Sequence, residues 1–323
     1  MGKRMKNIDK SLVKGEITLL LVAILWGSCF AFQKKGMDYI GPYTLGALRF
    51  IIGGLVLGPV MLLLCKSDKN SSKSVSKLKD ERKTFWIGGI LCGTVLFLGA
   101  SFQQVGLVYT TASKAAFLTS MEIVVVGIAS IIITKKKQLH TIVGVVLAVS
   151  GMYLLCSIHG LSIQFGDLLE LIGAFFWAIQ LLVVSKYVKL IDPIKLSFVQ
   201  FLVAGSLSAV GMILFEEPNL RNIILGAVPI VYTAIIEVAI CYTLQAIGQK
   251  YVPPIIASVT MSLESVFAVI FGVIILNEIL SGREIAGMII MFIAVIVIQL
   301  PIENQKTRKL EMLETRKSEK LKI

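Results

Sequence analysis

Ten apolar stretches, each about the length a helix needs to cross a bilayer, leave this chain few folds to choose from. A helix rises about 1.5 Å per residue, so roughly 17 to 25 apolar residues span the roughly 30 Å of hydrocarbon. Runs of that order are read at 16–32, 42–64, 84–105, 113–134, 141–157, 167–185, 193–215, 223–245, 254–276 and 285–300. With no water to bond to, each span must satisfy its own backbone amides, so the expected fold class is an all-α integral membrane protein. A composition of 56% hydrophobic and 16% charged residues agrees. The formal charge of +12 is scattered in short segments between the runs, which argues against a nucleic-acid partner.

Lysine and arginine set the expected orientation, because loops on the cytoplasmic side retain positive charge. With the N-terminus inside, 26 of the 32 basic residues fall on the cytoplasmic side. Lys34, Lys35, Arg221 and Arg283 fall outside, and Arg49 and Lys114 lie within spans. Ten spans return the C-terminus to the cytoplasm, so a multi-pass plasma-membrane protein with both termini cytoplasmic is expected. No small-residue cleavage site follows the first run, which therefore reads as a permanent helix rather than a secretory signal. Cys29, Cys65, Cys92, Cys156 and Cys241 lie in or at the ends of apolar runs, without metal or disulfide spacing, and read as packing residues. The sequon at Asn70 sits in a loop expected to be cytoplasmic and reads as unmodified.

The chain also repeats. At an offset of 151, Gly15, Leu20, Ala23, Trp26, Lys35, Pro42, Leu45, Phe50 and Gly54 fall on Gly166, Leu171, Ala174, Trp177, Lys186, Pro193, Leu196, Phe201 and Gly205. At 142, Gln103, Gly106, Tyr109, Ala115, Ser120 and Glu122 fall on Gln245, Gly248, Tyr251, Ala257, Ser262 and Glu264. The expected organisation is a leader at 1–14, a five-helix repeat at 15–157, a second at 166–300 and a charged tail at 301–323. Five is odd, so the second copy enters the membrane upside down relative to the first. Inverted repeats of this kind recur in secondary transporters, where the halves exchange conformations around a site between them.

The stretches "GEITLLLVAILWGSCFAFQKKGMDYIGPYTLGALRF", "TTASKAAFLTSMEIVV" and "YVPPIIASVTMSLESVFAVIFGVIILNE" resemble the EamA-type permeases of the drug/metabolite transporter superfamily. The resemblance runs from Gly15 to Leu300, and its most specific block is Pro253 to Glu278. It implies ten transmembrane helices in two inverted five-helix repeats, a central cavity, and export of small metabolites, amino acids or drugs. It also implies that spans one, three, four, six, eight and nine line the cavity while five and ten pack outside it. The first repeat departs from the family pattern at Met121 and Glu122, where a proline commonly follows "LTS".

A charge at the bilayer centre costs a few kcal/mol, so each must face protein or water. Counted from the span ends, Glu122, Glu237 and Glu264 all lie within about 3 Å of the midplane, the depth expected of a transporter site. Helical spacing puts Ala115, Thr119, Val126 and Ala129 on the face of Glu122, and Ala257, Thr260, Ala268 and Phe271 on that of Glu264. Two readings of the glutamate pair stay open: proton coupling, and a protonated carboxyl bonded across a tight helix contact. Glu237 has no counterpart, since Val95 occupies its place in the first repeat, and fits either substrate choice or an ion pair with Arg49. Arg49, whose mate is Gln200, reads as a tie between helices, and Lys114 as a snorkelling residue. Glu170 lies nearer the outer edge of its span.

Trp26, Gln103, Gln104, Trp177, Gln180, Tyr242 and Gln245 are candidate cavity residues alongside Glu237. Trp26 and Trp177 lie inside their spans, away from the interfacial belts, and large rings on a cavity wall suit aromatic or cationic cargo. His140 and His159 fall in loops on opposite sides of the membrane, which leaves no nucleophile, base and metal set for an enzyme, and no phosphate-binding loop for ATP is present. No cofactor or metal is expected. The partners expected are a small-molecule substrate, the lipid bilayer and protons, with the chain a monomer or homodimer. A passive channel or facilitator, or a lipid-directed scaffold, is the alternative to secondary transport.

Overall fold

The computed structural model describes residues 2–68, 75–110, 115, 118–134, 139–155, 164–276 and 281–299. Among these residues the structure is all helical, without strands. The helices are α1 (Gly2–Gly36), α2 (Pro42–Asp68), α3 (Val75–Tyr109), α4 (Glu122–Thr134), α5 (Leu139–Leu155), α6 (Phe165–Tyr187) and α7 (Pro193–Phe215). After a short exposed helix, Leu220–Leu225, come α8 (Ala227–Gln249), α9 in two pieces (Pro254–Met261 and Glu264–Leu276) and α10 (Gly282–Gln299). Among the described residues seven helices are long and apolar enough to cross a membrane, and Glu122–Ile132, Thr141–Leu154 and Ile285–Val297 are shorter apolar helices on the remaining apolar runs. The Asn70 sequon, Lys114, Cys156, His159 and the tail at 301–323 lie outside the described residues.

Proline and capping chemistry set several helix starts. Pro42, Pro193 and Pro254 each open a helix, where a missing N–H is harmless and the fixed φ is already helical. Asp192 caps α7, its carboxylate accepting from the amides of Ile194 at 3.0 Å and Lys195 at 3.3 Å. The repeat offset places Gly41 where α7 has Asp192, so α2 has no side chain of its own at that position. Glu216, at the end of α7, supplies one from outside. Its carboxylate accepts from Tyr43 N at 2.7 Å, Thr44 N at 2.8 Å and the Thr44 hydroxyl at 2.6 Å. Any side chain at position 41 would collide with that carboxyl.

The helices pack as pairs: α3 along α6, α2 along α7, α5 along α10, with α1 against α8 and α9. Small residues set the closest approaches, as they do where helices meet in lipid. A Cβ on Gly166 would lie 2.9 Å from the Gly106 carbonyl oxygen, and one on Gly15 would lie 3.1 Å from that of Gly248. Those two contacts are made by residues that correspond under the sequence offsets, so the α3–α6 and α8–α1 crossings are built alike.

Gly27 is where α1 meets the second piece of α9. A Cβ there would sit 2.7 Å from Phe267 Cβ, 2.8 Å from Ala268 N and 2.9 Å from Glu264 O, two of them backbone atoms that cannot turn aside. Gly27→Ala is therefore expected to cost about 1–3 kcal/mol through overpacking and to lower the detergent melting temperature. An unchanged melting temperature would show that α1 and α9 are not held this closely.

Candidate functional site

The two glutamate-bearing spans are not continuous helices. In α9 the helix stops at Met261, turns through residues 262–263 and restarts at Glu264. Residues 118–119 are helical, residues 120–121 turn, and α4 starts at Glu122. Tight bonds of the i→i−3 type close both turns, such as Met121 N to Leu118 O at 3.1 Å and Leu263 N to Thr260 O at 3.3 Å. Ser120 and Ser262, which correspond in the repeat, both sit in these turns, and the hydroxyls of Ser120 and Ser265 lie 3.2 Å apart where the spans cross. Each glutamate is thus the first residue of a half-helix that begins inside the bundle, where broken helices of transporters place their sites.

Around this crossing lies a cavity of about 50 Å³, room for a few water molecules. Its wall comes from α1, α3, α6, α8 and the two broken spans. Trp26, Gln103, Trp177, Gln180, Glu237, Tyr242 and Gln245 line it together with Glu122 and Glu264. Gln104 does not. It follows Gln103 directly, about 100° further round the helix, and its amide lies 2.9 Å from Met37 Sδ on the side of α1. Cys29, Phe30, Gln33, Thr119 and Met261 complete the wall. Cys29, Phe30 and Gln33 follow Trp26 at three, four and seven residues, so α1's own periodicity pointed to them. The break in α9 brings Met261 rather than Thr260 to the wall beside Glu264.

The segment Thr233–Tyr242 of α8 is π-helical, and this decides what faces the cavity. In an α-helix residues 237 and 242 would lie about 140° apart, whereas i→i+5 bonding widens the turn and brings residues five apart nearer to one face. Glu237 and Tyr242 consequently reach the same cavity. Tyr242 is the hub of an aromatic layer: its ring centroid is 5.1 Å from Trp26, edge to face, and 6.0 Å from Trp177 at 14° between planes. Neither buried indole N–H has a hydrogen-bond partner among the described residues.

Arg49 stands behind the wall, 0% exposed. Its Nη1 donates to Glu237 Oε1 at 2.8 Å, and its guanidinium lies 5.0 Å from the Phe50 ring centroid. The ion-pair reading of Glu237 and the tie reading of Arg49 meet in this one contact between α2 and α8. Glu237 Oε2 has no hydrogen bond among the described residues. Glu122 and Glu264 are half-buried, and neither forms a side-chain hydrogen bond or ion pair among the described residues. The repeat mates Gln103 and Gln245 both donate, but to partners that do not correspond: Gln103 Nε2 to Thr119 Oγ1 and Gln245 Nε2 to Gln180 Oε1, both at 3.2 Å. The wall therefore carries three carboxyls among indoles, a phenol and amides, with the Arg49 guanidinium behind it paired to Glu237.

The family pattern of EamA-like transporters matches residues 13–157 and again 164–300. A protein of Archaeoglobus fulgidus named as an uncharacterized transporter is 32% identical over 288 residues, covering 89% of this chain and 86% of that one. The uncharacterized transporter YoaV of Bacillus subtilis is 23% identical over 210 residues, covering 64% of this chain and 68% of its own. One crystal structure at 19% identity superposes with a TM-score of 0.70, over 93% of this chain and 99% of that one, a likeness of fold. With the pattern matching both halves and the archaeal relative matching nearly end to end, the chain belongs to the EamA-like transporter family.

Proposed function

We propose that this transporter is a secondary exporter of small organic cations with an aromatic body, exchanging them for protons by alternating access between two inverted five-helix repeats. The observation that carries the cargo class is the cavity wall: among the described residues Glu122 and Glu264 lack a counter-cation, Arg49 is engaged by Glu237, and Trp26, Trp177 and Tyr242 offer ring faces. A cation over such rings gains about 0.5 to 2 kcal/mol per face beyond its attraction to a carboxylate. Protons and cargo then compete for the same glutamates, which is the basis of exchange.

Two observations support alternating access. A cavity of about 50 Å³ is too small for an organic solute, so the halves must part to admit one. The glycine crossings α3–α6 and α8–α1, and the breaks at 120–121 and 262–263, recur at corresponding positions in the two halves. The distribution of lysine and arginine supports cytoplasmic termini and a plasma-membrane location.

Phenyltrimethylammonium tests the cargo class, because its charge is permanent and it cannot carry a proton itself. Proteoliposomes holding the protein are expected to accumulate it against an imposed pH gradient, saturably, while benzoate is ignored. Preference for benzoate, or accumulation no faster than in protein-free vesicles, would reject the proposal.

A further inference from the structure

Glu170, on α6, is a buried carboxyl outside the cavity wall, with 0% exposure. Its Oε2 accepts the Thr119 hydroxyl at 2.9 Å, and its Oε1 has no hydrogen-bond partner among the described residues. Thr119 is itself a wall residue, three positions before Glu122, and it also accepts from Gln103. In the other direction α6 leads to Asp167, one turn or about 4.5 Å nearer its start. Asp167 accepts from Thr110 Oγ1 at 3.0 Å and from Gln164 N at 2.8 Å, and Gln164 is exposed. Carboxyl, carboxyl, hydroxyl and cavity carboxyl thus follow one another from the exposed start of α6 to Glu122.

The corresponding route from the opposite face is interrupted. Under the repeat offsets Asp167 maps to Glu16, but Glu170 maps to Leu19 and Thr119 to Met261. The glycine contacts at the two crossings correspond. The Cβ that Gly106 lacks would touch Glu170 Oε1 at 2.9 Å, and the one that its mate Gly248 lacks would touch Leu19 Cδ2 at 2.8 Å. The same slot therefore holds a carboxyl in one half of the molecule and an aliphatic side chain in the other.

We infer that Asp167, Glu170 and Thr119 form a one-sided proton relay that connects the aqueous face at the start of α6 to Glu122 in the cavity. This rests on the proposed proton exchange and adds to it the route and the side. Glu170 receives a proton from the face where Asp167 sits. The Thr119 oxygen then takes that proton from Glu170 as its own hydroxyl hydrogen passes through cavity water to the Glu122 carboxylate, so one proton enters and one is delivered. Glu170 is a positioning residue, acting on Glu122 through Thr119. Among the described residues, charged groups on the elements packed here are few. α3 has none from 84 to 110, Lys34 of α1 is held on the Leu107 carbonyl at 2.8 Å, and Glu264, with the Arg49–Glu237 pair, belongs to the rest of the cavity region.

The test needs no cargo. With Trp86 replaced by phenylalanine, the remaining tryptophans, Trp26 and Trp177, both line the cavity. In proteoliposomes, a stopped-flow acid step on the face where α6 begins is expected to change their emission as the cavity glutamates take up protons. E170Q should slow that change about tenfold or more and leave its end point unchanged, and E170D should restore the rate. T119V, which keeps the shape and removes the hydroxyl, should slow it similarly and decides the matter if E170Q does not fold. Wild-type rates in both variants, or an emission in the parent protein that ignores pH, overturn the relay. A slowed response in a protein that does not move phenyltrimethylammonium retains the relay and removes only the cargo class.

Discussion

Replacing Arg49 by methionine is expected to destabilise the folded protein by about 3–5 kcal/mol, among the largest effects available to a single substitution here. The guanidinium is 0% exposed and bonded to Glu237 at 2.8 Å, so R49M leaves a carboxyl buried at the core of the bundle with no cation to offset its charge. The cost arises from the orphaned partner more than from the lost bond. Removing both ends at once, as in R49M with E237L, is therefore expected to recover most of the loss, because a buried ion pair and a packed apolar pair are often close in stability. Thermal unfolding in detergent for the two single variants and the double variant forms a complete cycle. An R49M protein as stable as the parent would mean that the pair contributes nothing, and a double variant no better than R49M would mean that Arg49 acts through its packing on Phe50 instead.

The second large effect concerns Glu264. A one-for-one exchange of a monovalent cation for a proton, driven by a gradient of about two pH units, corresponds to about 100-fold accumulation, since each pH unit is worth about 1.4 kcal/mol. Glu264→Gln keeps the shape and hydrogen-bonding capacity of the protonated acid but cannot titrate. It is expected to fold, to exchange labelled for unlabelled phenyltrimethylammonium at equal pH, and to lose accumulation down to the level of equal concentrations. Glu264→Ala should behave likewise if the group acts by titration. If Glu264→Gln accumulates cargo as the parent does while Glu264→Ala unfolds more easily, the glutamate is a structural hydrogen-bonding residue and proton exchange must be sought elsewhere.

Much of the site was legible because depth and face follow from counting. Equal distance from the span ends put Glu122, Glu237 and Glu264 at one level, and the repeat offsets paired Trp26 with Trp177 and Gln103 with Gln245. All of these residues line one cavity. Counting failed where the backbone departs from a uniform α-helix. The breaks at 120–121 and 262–263 fall in segments without glycine or proline at the turn, so no residue announced them, and they changed which side chain neighbours Glu264. Gln103 and Gln104 part for the opposite reason: regular helix geometry sends adjacent residues about 100° apart, and of the two Gln103 lines this cavity.

By itself the sequence determined the class of fold and the family pattern, because apolar length and lysine and arginine placement answer to the bilayer, a solvent whose dimensions are the same for every chain. Which groups touch was decided only by tertiary structure. Arg49 and Glu237 are 188 positions apart, and Glu170 and Thr119 are 51 apart, so no local spacing relates them. The π-helical stretch of α8 turns Glu237 and Tyr242 onto one face, and the glycine at 106 opens the slot that the Glu170 carboxyl fills. Both depend on helices packed closely enough to hold a π-helical stretch or a buried carboxyl in place, and that closeness exists only once the bundle has assembled.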